Sequence, residues 1–189
     1  MASGVNVIGL VFVLISAGLC LLALHAHATE FERLVSVLRR QQMSPSRLAV
    51  PLAASLVALE TLVPLAVVIS VLRPGALPGR VTYIIVAVAY AAFALYSSAL
   101  LYRRPGVPCG CGQSEAPVNG WVPLRAGFLS AASTAGALTV QATWPSMSAA
   151  EWTLVLVAAA VSAVLLWIVP ESLHVPGGRT PEGEFVILR

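Results

Sequence analysis

Two cysteines one residue apart, Cys109 and Cys111, lie in the stretch Arg103-Arg104-Pro105-Gly106-Val107-Pro108-Cys109-Gly110-Cys111-Gly112. The nucleophilic form of cysteine is the thiolate, and positive neighbours favour it, so Arg103 and Arg104 supply a suitable field. A Cys-x-Cys pair can close a small disulfide ring whose strain makes it easily reduced and a good exchange partner. Gly110 and Gly112 allow the backbone angles such a ring needs, and Pro105 and Pro108 limit the loop's wandering. The same residue types support two other readings. Thiolates suit Cu(I) or Zn(II), with His25 or His27 completing a shell around Cys109 and Cys111; alternatively the loop is purely structural. Cys20, the third cysteine, reads either as a small apolar helix residue or as a resolving partner for the pair.

What must position this loop is lipid-soluble helix. Of 189 residues, 58% are hydrophobic and 10% charged, and the mean hydropathy is +0.88; a typical soluble domain has about a quarter charged residues. Apolar runs of about 20 residues are long enough to cross a hydrocarbon core of roughly 30 Å. The expected fold is therefore all-α, a polytopic transmembrane helix bundle with helices over about 5–26, 48–72, 81–102, 121–140 and 151–169. These form one domain over 1–170, followed by a polar tail over 171–189. The first run is read as a membrane helix rather than a signal peptide, because it lacks basic residues before it and its apolar core is too long.

Other residues fall into place on these helices. Residues 27–47 set Phe31, Leu34, Val35 and Leu38 against Glu30, Glu32, Arg33, Arg39 and Arg40, a pattern that fits an amphipathic interfacial helix and equally a solvated connector. Glu60 lies near the middle of the second apolar helix. A carboxylate at that depth should face the bundle and be protonated or paired, as a proton-handling group or a structural one. From the start of its helix, Glu60 is roughly 18 Å deep by helix rise. Pro64, a turn later, predicts a kink. Tyr83 and Tyr102 fit interfacial belts, and Tyr90 and Tyr96 lie deeper, where they can hydrogen-bond within the bundle. His25 and His27 read as interfacial residues. Arg125, one turn into the fourth apolar helix, can snorkel towards the cysteine loop.

Five crossings put the loop after the first helix, the cysteine loop and the tail on one side. That side carries Arg33, Arg39, Arg40, Arg47, Arg103, Arg104, Arg125, Arg179 and Arg189, against Arg73 and Arg80 opposite. The positive-inside rule then places the cysteine loop at the cytoplasmic face of the cell membrane. The formal charge of +3 is explained by these helix-end arginines, so no nucleic-acid partner is implied. The sequence carries no Ser-His-Asp set, no phosphate-binding glycine loop and no clear quinone pocket. No cofactor is assigned, and a quinone or a soft metal stays open.

The Arg103–Gly112 stretch, the following Pro117-Val118 and Leu124-Arg125, the acidic segment Ala58-Leu59-Glu60-Thr61-Leu62 and the connecting segment Phe31–Arg40 together resemble the MauE branch of the MauE/DoxX membrane proteins. The resemblance spans roughly residues 5–170. The chain has Gly112-Gln113 where the family pattern continues Phe-Gly, which leaves both cysteines intact. The resemblance implies a four-helix DoxX-like core with a fifth transmembrane helix. It also implies a role in maturing another protein, as in methylamine dehydrogenase maturation, with a thioredoxin-like partner in disulfide formation or electron delivery. An exported client would favour an outward-facing cysteine pair, opposite to the arginine count.

The leading functional expectation is a membrane thiol-disulfide redox protein. In it Cys109 and Cys111 cycle, Arg103, Arg104 and Arg125 favour thiolate, Glu60 handles a proton or supports the fold, and Cys20 stands by as a third thiol. The alternatives are a non-catalytic scaffold or accessory subunit, contacting lipid and a protein partner, and a soft-metal site on Cys109, Cys111 and His25.

Overall fold

The computed structural model describes residues 2–73, 76–108, 110, 117–139 and 147–172. Its elements are α1 (Ala2–Thr29), α2 (Phe31–Gln41), a 3-10 turn (Ser46–Leu48), α3 (Ala49–Leu72), α4 (Ala76–Arg103), α5 (Trp121–Thr139) and α6 (Ala149–Ser172). The fold is an all-α polytopic bundle. Among the described residues, four segments are long and apolar enough to cross a membrane, Val7–Thr29, Ser46–Leu72, Leu77–Arg103 and Ala149–Val169. α5, expected to be a membrane helix, is not among these four, because Arg125 and its serines, threonines and glycines dilute its apolarity. It nonetheless runs most of the bundle's length. Its first turns meet the end of α6 through Arg125 and Leu166, and its last turns meet the start of α4 through Gly136 and Tyr83.

The bundle is organised around α1, which touches all five other helices, while α4 lies along α5. The central core joins Ile15 and Leu19 of α1, Val63 of α3, Val86, Ala89 and Tyr90 of α4, Ala126 and Leu129 of α5, and Ala159 and Ala163 of α6. Small residues recur because helices in lipid associate by close packing rather than by expelling water. Gly136 shows this most sharply. A Cβ there would lie 2.6 Å from Cδ1 of Tyr83, and one at Gly9 would lie 2.7 Å from the same tyrosine's hydroxyl. Tyr83, expected in an interfacial belt, is therefore buried between α1 and α5 at 2% exposure, whereas Tyr102 is exposed.

One helix passes through a proline, and one helix end departs from expectation for an identifiable reason. α3 runs through Pro64 without a break. α6, expected to stop before Pro170, continues to Ser172. Proline has no N–H, so the carbonyl four residues earlier, that of Leu166, loses its helical donor. The guanidinium of Arg125 donates to that carbonyl instead. α6 begins with a capping box in which the backbone N–H of Ser148 donates to Oε2 of Glu151 at 2.7 Å and the N–H of Glu151 donates to Oγ of Ser148 at 3.4 Å.

α2 determines what the cysteine loop rests on. Its apolar side packs along the first half of α3, with Leu34 and Val35 against Ala49 and Ala53, and Phe31, Leu38, Leu56 and Val57 around them. The segment read as either interfacial helix or connector is thus a helix docked on α3. Its exposed side carries Glu32, Arg39 and Arg40.

Candidate functional site at the cysteine loop

The loop between α4 and α5 is closed at its base. Arg104-Pro105-Gly106-Val107 forms a turn in which the Val107 N–H donates to the Arg104 carbonyl at 3.4 Å, with Gly106 at φ 85°. Proline followed by a positive-φ glycine is the pattern of a type II turn. The chain then pairs with itself. Pro108 bridges antiparallel to Pro117, and the Val118 N–H donates to the Val107 carbonyl at 3.1 Å. Val118 is buried with Leu100 and Val122. Asn119 starts α5 by accepting the Trp121 N–H on its side-chain oxygen at 3.1 Å. Cys109 and Cys111 lie outside the described residues. Gly110, between them, is described, as is Pro108 before them.

Two buried side chains hold the carbonyls on either side of Cys109 in the chain. Nε2 of Gln41, at the end of α2, donates to the Pro108 carbonyl at 2.8 Å. The Gln41 side chain also accepts a hydrogen bond from the Tyr96 hydroxyl of α4, and Gln41 is 1% exposed. Nε2 of His27, in the last turn of α1, meets the Gly110 carbonyl at 2.8 Å. The other ring nitrogen, Nδ1, lies 2.9 Å from both Oε1 and Oε2 of Glu60 in α3. His27 and Glu60 are both buried. Gly110 has φ 75° and packs so closely on α2 that a Cβ would lie 3.0 Å from Cγ1 of Val37. Its lack of a side chain therefore serves both its left-handed backbone and its contact with α2.

The hydrogen-bond chemistry fixes the protons on this assembly. A carbonyl only accepts, so His27 carries a proton on Nε2. An unprotonated Nδ1 facing an ionised carboxylate at 2.9 Å would set lone pair against lone pair, so one further proton sits between Nδ1 and Glu60. The pair is then imidazolium with carboxylate, or imidazole with carboxylic acid. Both forms carry the same protons and no net charge, which lowers the cost of placing the pair among apolar helices.

His27 was read as interfacial, and the structure corrects this. It is the contact through which Glu60 reaches the loop. Gly110 rests on α2, which lies along the first half of α3, so the loop comes within one histidine side chain of Glu60. A recognisable signal was present, in that a mid-helix carboxylate needs a partner and His27 is a cation-capable side chain closing α1. His25, two residues away, is exposed. Among the described residues, no group of three or more His, Cys, Asp or Glu side chains is arranged to hold a metal ion.

The remaining expected residues are placed as follows. Arg103 ends α4, and both it and Arg104 are exposed beside the loop's base. Arg125, expected to reach back towards the loop, is only 9% exposed and donates to α6, because the carbonyl freed by Pro170 lies within its reach. Cys20 lies on α1 two turns from His27, with its Sγ 3.7 Å from the Tyr90 hydroxyl. That hydroxyl donates to the Ser16 carbonyl at 3.0 Å. Cys20 therefore belongs to a small polar cluster inside the bundle.

The family model described as "Methylamine utilisation protein MauE" matches residues 5–142. The matched stretch takes in α1 to α5 and stops before α6, short of residue 170, to which the resemblance was expected to extend. Comparison with curated proteins gave no match, and neither did comparison with solved structures.

Proposed function

Because this chain belongs to the MauE family of membrane proteins, we propose that it is a membrane thiol-disulfide redox protein acting through Cys109 and Cys111. The observation that carries the reading is the pair of buried side chains, Gln41 and His27, that hold the carbonyls of Pro108 and Gly110. A bundle that commits four polar side chains from four helices, three of them buried, to one short loop gains little from them in stability alone, since buried ion pairs seldom outperform apolar packing. Preorganisation of a reactive loop gives them a use.

The chemistry is dithiol–disulfide exchange. One thiol loses its proton, and the thiolate attacks a sulfur of the partner's disulfide. A mixed disulfide forms and a partner thiolate leaves. The second cysteine, deprotonated in turn, attacks the mixed disulfide, closes Cys109–Cys111 and releases the second partner thiolate. Two protons and two electrons pass to the partner, which leaves as a dithiol; the reverse sequence oxidises it. The partner is a thioredoxin-like protein, and the electrons serve the maturation of another protein. Exposed Arg39, Arg40, Arg47, Arg103 and Arg104 at this end of the bundle, against Arg73 and Arg80 at the other, favour a cytoplasmic loop.

Replacement of both cysteines with serine tests the reading against a scaffold. Purified protein in proteoliposomes, mixed with an oxidised thioredoxin-fold protein, is expected to trap a mixed disulfide in the single Cys111→Ser or Cys109→Ser variant and none in the double variant. Unchanged partner binding and unchanged maturation activity in the double variant would favour the scaffold.

A further inference from the structure

We propose that the His27–Glu60 pair is a proton switch that adjusts the charge beside the cysteine pair as it ionises. The inference rests on the thiol-redox reading for its purpose, but its physical content is separable from that reading. Because Nε2 of His27 must donate to the Gly110 carbonyl, the ring's orientation and tautomer are fixed. The mobile proton of the pair is the one between Nδ1 and the Glu60 carboxylate, whose two oxygens both stand 2.9 Å away. Moving that proton from Glu60 to Nδ1 breaks one O–H bond, forms one N–H bond and changes no total charge. It does move a unit positive charge onto the ring that touches the peptide between Cys109 and Cys111, leaving the negative charge on the far side, in α3.

The switch starts, with both cysteines as thiols, from the second of the two forms its hydrogen bonds allow, imidazole with carboxylic acid. When one thiol ionises, its proton passes to solvent or to the partner's leaving thiolate. The new negative charge draws the shared proton onto Nδ1, and the imidazolium then stabilises the thiolate. The last turn of α1 suits the cationic form, because the C-terminal carbonyls of a helix favour positive charge. When the disulfide closes, the thiolate charge is gone and the proton returns to Glu60. Among the described residues, the other ionisable groups facing this region are Cys20 of α1, Tyr90 of α4 and Arg125 of α5. α2 presents uncharged Val37 and Gln41 to Gly110. His27 and Glu60 are thus positioning residues that act through the loop's field.

The test is Glu60→Gln, whose amide can hydrogen-bond Nδ1 but cannot yield a proton to it. Full-length protein in detergent is reduced and alkylated with iodoacetamide across a pH series, and modification at Cys109 and Cys111 is quantified by mass spectrometry. Alkylation follows the thiolate fraction, so loss of the switch is expected to slow it about tenfold at pH 7, as an upward displacement of the profile by about one unit would. His27→Gln, which keeps an amide donor for the Gly110 carbonyl, is expected to slow it equally. A profile in Glu60→Gln that overlays the wild type overturns the proposal. Difference infrared spectroscopy of the wild type gives a second readout should either variant fail to fold. The carbonyl band of a buried carboxylic acid is expected to vanish as the thiols ionise, and a band unchanged through that titration refutes the switch. A Cys109–Cys111 pair that never cycles but whose alkylation responds to Glu60→Gln would refute the redox reading and leave the switch standing.

Discussion

Gly110 and Gly106 make an internally controlled perturbation of the loop. Both have positive φ, 75° and 85°, so alanine at either costs about 1–2 kcal/mol in backbone strain. The surroundings differ. A methyl group at Gly106 meets nothing within 4 Å, whereas one at Gly110 lies 3.0 Å from Cγ1 of buried Val37. Relief requires the loop to lift away from α2, which lengthens the bond from His27 to the Gly110 carbonyl. A hydrogen bond from a charged or proton-sharing donor contributes about 1.5–3 kcal/mol, so partial loss brings the Gly110→Ala penalty to about 3 kcal/mol. At about 1.4 kcal/mol per tenfold change in an equilibrium, opening of the loop base should rise by roughly a hundredfold in Gly110→Ala and by roughly tenfold in Gly106→Ala. Hydrogen exchange at the Val118 amide, which donates across the base to Val107, reads this opening directly. Equal acceleration in the two variants would refute the idea that Val37 and His27 hold the loop down.

Three further outcomes follow from the packing. Gln41→Leu removes the donor to the buried Pro108 carbonyl and the acceptor of the half-buried Tyr96 hydroxyl; at about 1–3 kcal/mol for an unsatisfied buried group, the thermal unfolding temperature in detergent should fall by several degrees. Arg125→Leu leaves the Leu166 carbonyl with neither Pro170 nor a guanidinium to satisfy it. Exchange should therefore rise at the end of α6 while the α1–α3–α4 core is unchanged. Gly136→Ala drives a methyl group into the Tyr83 ring between two helices that cannot easily separate, an overpacking cost of about 1–3 kcal/mol or more. Adding Tyr83→Leu should recover much of the lost thermal stability.

The helices were legible because apolar length is a strong signal, and the amphipathic segment was legible because Leu34, Val35 and Leu38 recur at helical spacing. The loop stood out by composition, with two cysteines among glycines and prolines between apolar runs. The tertiary role of α2 was harder to read, because an amphipathic helix has the same pattern whether it lies on lipid or docks on α3. Leaving α2 undocked left the floor of the loop, and the partner of Glu60, unassigned. The roles of Arg125 and Tyr83 were hidden for a related reason. Arg125 answers a carbonyl made available by Pro170, some forty residues away in the chain, and Tyr83 fills a slot made by two glycines on different helices. Such pairings depend on which faces meet, which periodicity alone does not specify.

The central claim is that Cys109 and Cys111 exchange electrons as a dithiol and disulfide. The most direct measurement is differential alkylation of the full-length protein, blocked with one reagent, reduced, labelled with a second and read by mass spectrometry. The account predicts that both cysteines take the second label after oxidation by a thioredoxin-fold disulfide and the first label after reduction. A pair that carries the first label under oxidising and reducing conditions alike would contradict it.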